Sequence, residues 1–120
     1  MLSEKRKGKN RNNLGRRLKD ARKSQGYTQK ALADALGIEY YTVISQMELG
    51  YMSIPASLWG PIADVLGMDR TEWIVICLTE SSPEVYSRLF QNLSRNEVVR
   101  ILSPFSKRQL NANLTDTQPT

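Results

Sequence analysis

The side chains best suited to binding a partner through hydrogen bonds lie between residues 39 and 48, in a stretch whose spacing is typical of a helix. At about 100° per residue, four residues fall on one stripe that we expect to be buried. This stripe consists of Tyr40, Val43, Ile44 and Met47. The face directed away from it consists of Tyr41, Thr42, Ser45 and Gln46. The outward face is therefore uncharged and rich in hydrogen-bonding groups, with an aromatic ring at its flank.

Side chains for catalysis and metal binding are scarce in the sequence. It contains no His, which excludes Ser-His-Asp and Cys-His catalytic sites and any His-ligated metal. Cys77 is the single cysteine, so an intramolecular disulfide and a thiolate cluster are also excluded. Because Cys77 lies in the apolar run of residues 73–78, we expect a buried, unreactive thiol. The sequence predicts no enzyme activity, no cofactor and no metal site.

Positive charge is concentrated at one end of the 120-residue chain. The net charge is +5, but residues 1–30 hold 11 of the 17 Lys and Arg and carry +9, whereas residues 31–120 carry −4. This division favours a polyanionic partner, nucleic acid before membrane, although a solvated basic tail is the alternative. The longest apolar run is much shorter than the roughly 20 residues of a membrane span, and no apolar segment follows the basic start. We expect a cytoplasmic protein without membrane contact.

The spacing of apolar residues predicts an all-α fold. Residues 1–12 have no apolar period and are expected to form a disordered basic arm. A first helix ends at Gly26, a second runs from the N-cap Thr28 to Gly37, and a third covers residues 39–48. The inward residues of the first two helices are Leu14, Leu18, Ala21, Leu32, Ala33 and Leu36.

Further helices are expected after residue 55. The first of these contains Gly60-Pro61, which predicts either a kink or a new helix beginning at Pro61. The next begins at the cap Asp69 and reaches about Leu78. The last two begin near Ser82-Pro83 and at Ser94. Residues 104–120 are polar and are expected to form a disordered tail.

Residues 14–68 resemble the Cro and phage-repressor (XRE-like) family of DNA-binding domains. The resemblance rests on the Arg-x-x-x-Gly-x-Thr-Gln run of residues 22–29 and on a set of residues in the family's order. These are Leu32-Ala33, Gly37, Ile44-Ser45, Glu48, Gly50 and the later Leu-Gly. The resemblance implies a lambda-repressor-like helix-turn-helix domain of four to five helices, whose third helix lies in the DNA major groove.

The resemblance also implies roles for individual residues. Base reading is implied for Tyr41, Thr42, Ser45 and Gln46, and contact with the DNA backbone for Thr28, Gln29, Lys30, Tyr40, Tyr51, Ser53, Arg16 and Arg17. Arg22 and Glu48 match the family's structural ion pair. The arm residues Lys5, Arg6, Lys7, Lys9 and Arg11 could follow phosphates or enter a minor groove, or could only attract DNA from a distance.

The sequence departs from the family pattern in three places. One additional residue lies between Gly37 and Glu48, the loop after the third helix lacks Lys, and Gly60-Pro61 interrupts a helix that is usually continuous. We assign the outward face from the Ile44 end, and we expect Tyr40 to be half-buried.

The C-terminal third is rich in large apolar residues, which either extend the core or form a dimer surface. We favour dimerisation through Trp73, Ile76, Tyr86, Leu89, Phe90, Val98, Ile101 and Leu102. The domain organisation is therefore an arm (1–12), a DNA-binding domain (13–68), a dimerising helical extension (69–103) and a tail (104–120). The sequence predicts a DNA-binding transcription regulator, a repressor acting as a homodimer on a near-palindromic operator. The alternative is an antitoxin-like module that sequesters a protein partner and regulates its own gene.

Overall fold

The computed structural model describes the backbone of residues 2–104 and the side chains of residues 13–104. Within residues 2–104 every regular element is a helix, which confirms the predicted all-α class. The helices are α1 (Leu2–Ser24), α2 (Gln29–Ala35), α3 (Thr42–Leu49), α4 (Ala56–Leu66), α5 (Arg70–Ser81), α6 (Pro83–Leu89) and α7 (residues 95–104). Among these described helices, none combines the length and the apolar character that a membrane crossing requires.

The N-terminal helix is longer than the sequence predicts. α1 includes residues 2–12, for which the sequence predicts an arm without regular structure. This stretch contains no proline, and a helix that is already fixed at Leu14 and Leu18 extends without a new nucleation step. The tail predicted for residues 104–120 is wrong at Pro104, which belongs to α7. The remainder of that prediction, over residues 105–120, and the predictions for the arm side chains lie outside the described part of the chain.

Helices α1 to α5 enclose one hydrophobic core. Its fully buried residues from the first three helices are Leu18, Leu32, Ala33, Ile44 and Met47. α4 adds Ile62, Ala63 and Leu66, and α5 adds Trp73, Ile76 and Cys77. Burying each of the larger side chains contributes about 1.5–3 kcal/mol. Because α5 completes the same core, the packing is continuous across residue 68, where the sequence predicts a domain boundary.

Gly15 marks the closest approach of α1 to α3. A Cβ atom on Gly15 would collide with the backbone carbonyl oxygens of Met47 and Glu48. The missing side chain therefore lets the two backbones lie in direct contact, and this contact fixes where α3 sits on α1.

α4 is a single helix that contains Pro61. Pro61 has no N–H to donate to the carbonyl of Ser57, but the helix continues on both sides of it. Of the two predicted outcomes, a second helix beginning at Pro61 is wrong. The preceding Gly60 lies under the guanidinium of Arg70, which pairs with Asp64.

The last three helices begin as the sequence predicts, with different caps. Asp69 caps α5 by accepting a hydrogen bond from the backbone N–H of Glu72 at 2.8 Å, and α5 continues to Ser81 rather than Leu78. Ser82 makes no side-chain cap bond at α6. Before α7, the hydroxyl of Ser94 accepts from the N–H of Glu97 at 3.1 Å, and the Glu97 carboxylate accepts from the N–H of Ser94 at 3.2 Å.

Candidate nucleic-acid interface

The outward face of α3 carries four side chains on one side of the helix. Residues at spacings of three, four and seven share a helix face. The half-buried Val43 packs against the core, and four other exposed or half-buried residues of α3 follow this spacing. They are Thr42, Ser45, Gln46 and Leu49, here called the outward α3 face. Within residues 13–104, no hydrogen bond uses the side chains of Thr42, Ser45 or Gln46. Their donors and acceptors are available to a partner.

Leu49 is a member of this face that the sequence analysis missed. Its side chain is 52% exposed, although it is a large apolar residue. The sequence predicts that the helix ends at Glu48, whereas α3 ends at Leu49 with Gly50 as a left-handed C-cap (φ 82°). The spacing from Thr42 to Leu49 was the signal that could have identified it.

Tyr40 and Tyr41 lie before α3 rather than on it. α3 begins at Thr42, three residues later than predicted, and Tyr41 is its N-cap. The expectation that Tyr40 is half-buried in the α3 stripe is wrong, because its side chain is 65% exposed. The additional residue of this sequence is accommodated in the turn between α2 and α3, where periodic helix positions do not apply. Both rings are exposed beside the N-terminal end of the outward α3 face.

A buried ion pair holds the C-terminal end of α3 against α1. Arg22 donates from Nε to Glu48 Oε2 at 2.6 Å and from Nη2 to Glu48 Oε1 at 3.1 Å. Arg22 also donates from Nη1 to the carbonyl of Tyr27 at 2.8 Å, in the turn before α2. Both charged residues are buried, with exposed fractions of 6% and 4%. The pair implied by the family resemblance is therefore present, and it joins α1, the α1–α2 turn and α3.

Gln29 belongs to the same network. Its Nε2 donates to Glu48 Oε1 at 3.0 Å, so the start of α2 is also linked to the end of α3. Gln29 is half-buried, and the resemblance implies contact with the DNA backbone for it. The structure gives it a second role, in positioning α3, which the sequence analysis missed because no local pattern relates residues 29 and 48.

The other residues for which contact with the DNA backbone is implied have different surroundings in the structure. The hydroxyl of Thr28 accepts from the N–H of Ala31 at 3.0 Å and caps α2. The exposed Lys30 ammonium lies 3.5 Å from the Asp34 carboxylate. Tyr51 and Ser53 are exposed in the loop after α3.

Arg16 and Arg17 are exposed on different sides of α1. Arg17 lines a groove of about 400 Å³ between α1 and α5, together with Asp20, Asp69 and Glu72. This location among carboxylates separates Arg17 from the α1 side that contacts α3 at Gly15.

The residues predicted to form a dimer surface fall into two groups. Trp73, Ile76 and Val98 are buried inside the single chain, so their side chains are not on its surface. The others remain wholly or partly exposed, namely Tyr86, Leu89, Phe90, Ile101 and Leu102. The rings of Tyr86 and Phe90 pack on each other at a centroid distance of 5.3 Å. Val85 and Leu93 are also exposed apolar residues of this region, and neither is among the residues predicted from the sequence.

Cys77 is a buried core residue, as predicted. Burial, reinforced by the nearby Glu80 carboxylate, raises the pKa of the Cys77 thiol to about 12. The thiol is therefore protonated at neutral pH and is a poor nucleophile. Across the described residues, no group of three or more Cys, Asp or Glu side chains is arranged to hold a metal ion.

Comparison with known proteins relates the chain to a protein family. A protein-family model described as "Helix-turn-helix" matches residues 18–73. The matched segment extends into α5 and ends at the buried Trp73, in agreement with the continuous core of α1 to α5. Neither the curated proteins nor the solved structures contain a significant match to the chain.

Proposed function

We propose that the chain is a repressor that binds a near-palindromic operator as a homodimer. The proposal starts from the helix-turn-helix match of residues 18–73, which is of the Cro/C1 (XRE-like) type found in DNA-binding transcription regulators. The observation that carries the proposal is the outward α3 face. It presents free hydrogen-bonding groups, and the Arg22–Glu48–Gln29 network holds it in place. A rigid polar helix of this kind can read base edges in the major groove.

Phosphate affinity is assigned in this proposal to the basic N-terminal part of the chain. No Lys or Arg occurs between residues 31 and 69, so neither α3 nor the loop after it supplies positive charge. The described candidates on α1 are the exposed residues Arg16, Arg17, Lys19 and Lys23. The N-terminal Lys and Arg residues add further charge to the same helix. Neutralising phosphates with these cations would supply the sequence-independent part of the binding energy.

Dimerisation is assigned to the apolar residues exposed on α6, on α7 and in the turn between them. Val85 and Leu89 are 50% and 65% exposed, and Leu93 and Ile101 are 37% and 50% exposed. A monomer contacts only one half-site, and pairing two copies places two α3 helices about one DNA turn apart. Burying these side chains between two copies would remove the apolar area from water.

The operator is tested by nuclease protection of the DNA upstream of the chain's own gene, with the full-length protein. We expect protection of two related half-sites about 10 base pairs apart. Gln46→Ala and Thr42→Ala should each weaken specific binding by about 1–3 kcal/mol and leave non-specific binding unchanged. Transcription from the protected promoter should fall in the presence of the protein. Binding to all sequences with equal affinity would contradict the proposal.

The dimer is tested by sedimentation of the full-length chain. Leu89→Asp and Ile101→Asp should each shift the protein toward the monomer and weaken operator binding. Ser87→Asp is the matched control, because it adds the same charge at an exposed site of α6 without removing an apolar side chain. A monomeric wild-type chain that still protects two half-sites with full affinity would exclude this surface.

A further inference from the structure

The outward α3 face contains no charged side chain. Thr42 and Ser45 supply hydroxyls, Gln46 supplies an amide, and Leu49 supplies an exposed isobutyl group. Tyr41 adds a ring that is 50% exposed at the N-terminal end of the same helix. The face is therefore a small neutral surface with one amide and two apolar ends, the Thr42 methyl group and the Leu49 side chain.

The side chains that most strongly select G·C pairs are absent from this surface. Guanine is read most often by Arg or Lys, which donate to its O6 and N7 atoms, and cytosine is read by a carboxylate that accepts from N4. No Lys or Arg occurs between residues 31 and 69. The Glu48 carboxylate is buried and already accepts hydrogen bonds from Arg22 and Gln29. Glu39 lies in the turn three residues before α3, outside the outward face.

The side chains that are present match an A·T pair. A Gln amide can donate to adenine N7 and accept from adenine N6, and the thymine C5-methyl group is an apolar target in the major groove. We propose that the outward α3 face reads A·T base pairs, with Gln46 on adenine and with the Thr42 methyl group and Leu49 on thymine methyl groups. This inference rests on the proposed function and specifies the class of operator half-site that α3 recognises.

The first experiment selects bound sequences from a pool of randomised DNA duplexes with the full-length chain. The same selection is carried out in parallel with the Gln46→Arg variant, whose guanidinium would occupy the place of the wild-type amide. We expect the wild type to enrich half-sites with A·T pairs at the α3 positions, and Gln46→Arg to change one A·T pair in each half-site to G·C. At that position, the Gln46→Arg variant should prefer G·C over A·T by at least about fivefold.

Gln91→Arg is the matched control for the added charge. Gln91 is exposed in the turn between α6 and α7, outside the helix-turn-helix domain. Its substitution should leave the base preference unchanged. G·C pairs enriched by the wild type at the position that Gln46→Arg alters would overturn the inference while leaving the proposed function intact. The inference would also be overturned if Gln46→Arg enriched the same DNA sequence as the wild type. No enriched sequence at all would contradict both.

The second experiment removes thymine methyl groups by replacing single thymines of the selected half-site with uracil. Loss of one methyl contact should weaken wild-type binding by about fourfold at the position that faces Thr42. Thr42→Ser keeps the hydroxyl and lacks the methyl group, so the same DNA change should have no effect on this variant. Uracil substitutions that leave wild-type affinity unchanged throughout the half-site would overturn the thymine part of the inference.

Discussion

Gly15 is the residue at which a single added methyl group tests the packing of α1 on α3. In an isolated helix, Gly15→Ala would stabilise the helical state by about 1 kcal/mol, because glycine is a weaker helix former than alanine. Here the new Cβ would meet the backbone carbonyls of Met47 and Glu48, which cannot rotate away as a side chain can. We expect a net loss of about 1–3 kcal/mol in the free energy of unfolding, measured by urea denaturation.

Gly60→Ala is the control for this substitution. It places the same methyl group in a helix, but the atoms in its way belong to the flexible end of Arg70. We expect a much smaller change in unfolding free energy than for Gly15→Ala. A Gly15→Ala variant as stable as the wild type would show that the contact between α1 and α3 is looser than the structure indicates.

Glu48 of α3 accepts hydrogen bonds from α1 through Arg22 and from α2 through Gln29. Glu48→Ala leaves the Arg22 guanidinium buried without its carboxylate, and removal of one partner of a buried pair costs about 3–5 kcal/mol. Asp34→Ala is the matched control, because the Lys30–Asp34 pair is exposed and contributes less than about 1 kcal/mol. Both are measured by urea denaturation. Equal losses for the two variants would contradict the role given to the buried network.

Among the helices, α7 provides a direct test of capping. Ser94 and Glu97 form reciprocal hydrogen bonds at its start, whereas Ser82 makes no side-chain cap bond at α6. We expect Ser94→Ala to lower the free energy of unfolding by about 1 kcal/mol and Ser82→Ala to change it little. Thermal or urea unfolding of the two variants measures the difference, and equal losses would contradict the assigned cap.

The same cap gives α7 a pH dependence. Hydrogen bonds from the backbone and the hydroxyl of Ser94 lower the pKa of Glu97 below its ordinary value. A carboxyl with a lowered pKa in the folded state contributes stability above its unfolded pKa and loses it as the pH falls through the folded pKa. The stability difference between wild type and Glu97→Gln should therefore shrink under acidic conditions.

The sequence predicts the element order better than it predicts the start of α3. Gly26, Gly37, Gly50 and Gly67 end segments because each has a positive φ, and this chemistry is local. The additional residue before α3 has no such local signal. Whether it lengthens the helix or the turn depends on how Ile44 and Met47 pack, and this packing involves α1, which is distant in sequence. Helical periodicity counted from Tyr40 therefore predicts a buried stripe that includes Tyr40, although the Tyr40 ring is exposed.

The candidate site likewise contains some residues whose placement the sequence predicts and others whose placement it does not. Thr42, Ser45 and Gln46 lie on the predicted outward face because Ile44 and Met47 anchor the helical wheel independently of where the helix begins. The bond between Gln29 and Glu48 and the role of Gly15 could not be predicted, because both depend on how separate helices approach each other. Leu49 could have been predicted from spacing alone.

At the scale of the whole molecule, the concentration of positive charge in the N-terminal part of the chain has a measurable consequence for DNA binding. Residues 1–30 carry +9, and the outward α3 face carries no charge. If the five cations within residues 1–11 contact about four phosphates, deletion of these residues makes the slope of log K against log salt concentration less negative by about 3.6. Equilibrium titration of the selected operator at several salt concentrations measures this slope.

Arg88→Gln and Arg100→Gln together provide the control for charge alone, since both residues are exposed on the C-terminal helices. Their loss lowers the net charge without removing a phosphate contact, so the equilibrium slope should remain that of the wild type. If the N-terminal cations only attract DNA from a distance, their deletion slows association and leaves the slope unchanged. An unchanged slope would therefore assign phosphate contact to the exposed cations further along α1.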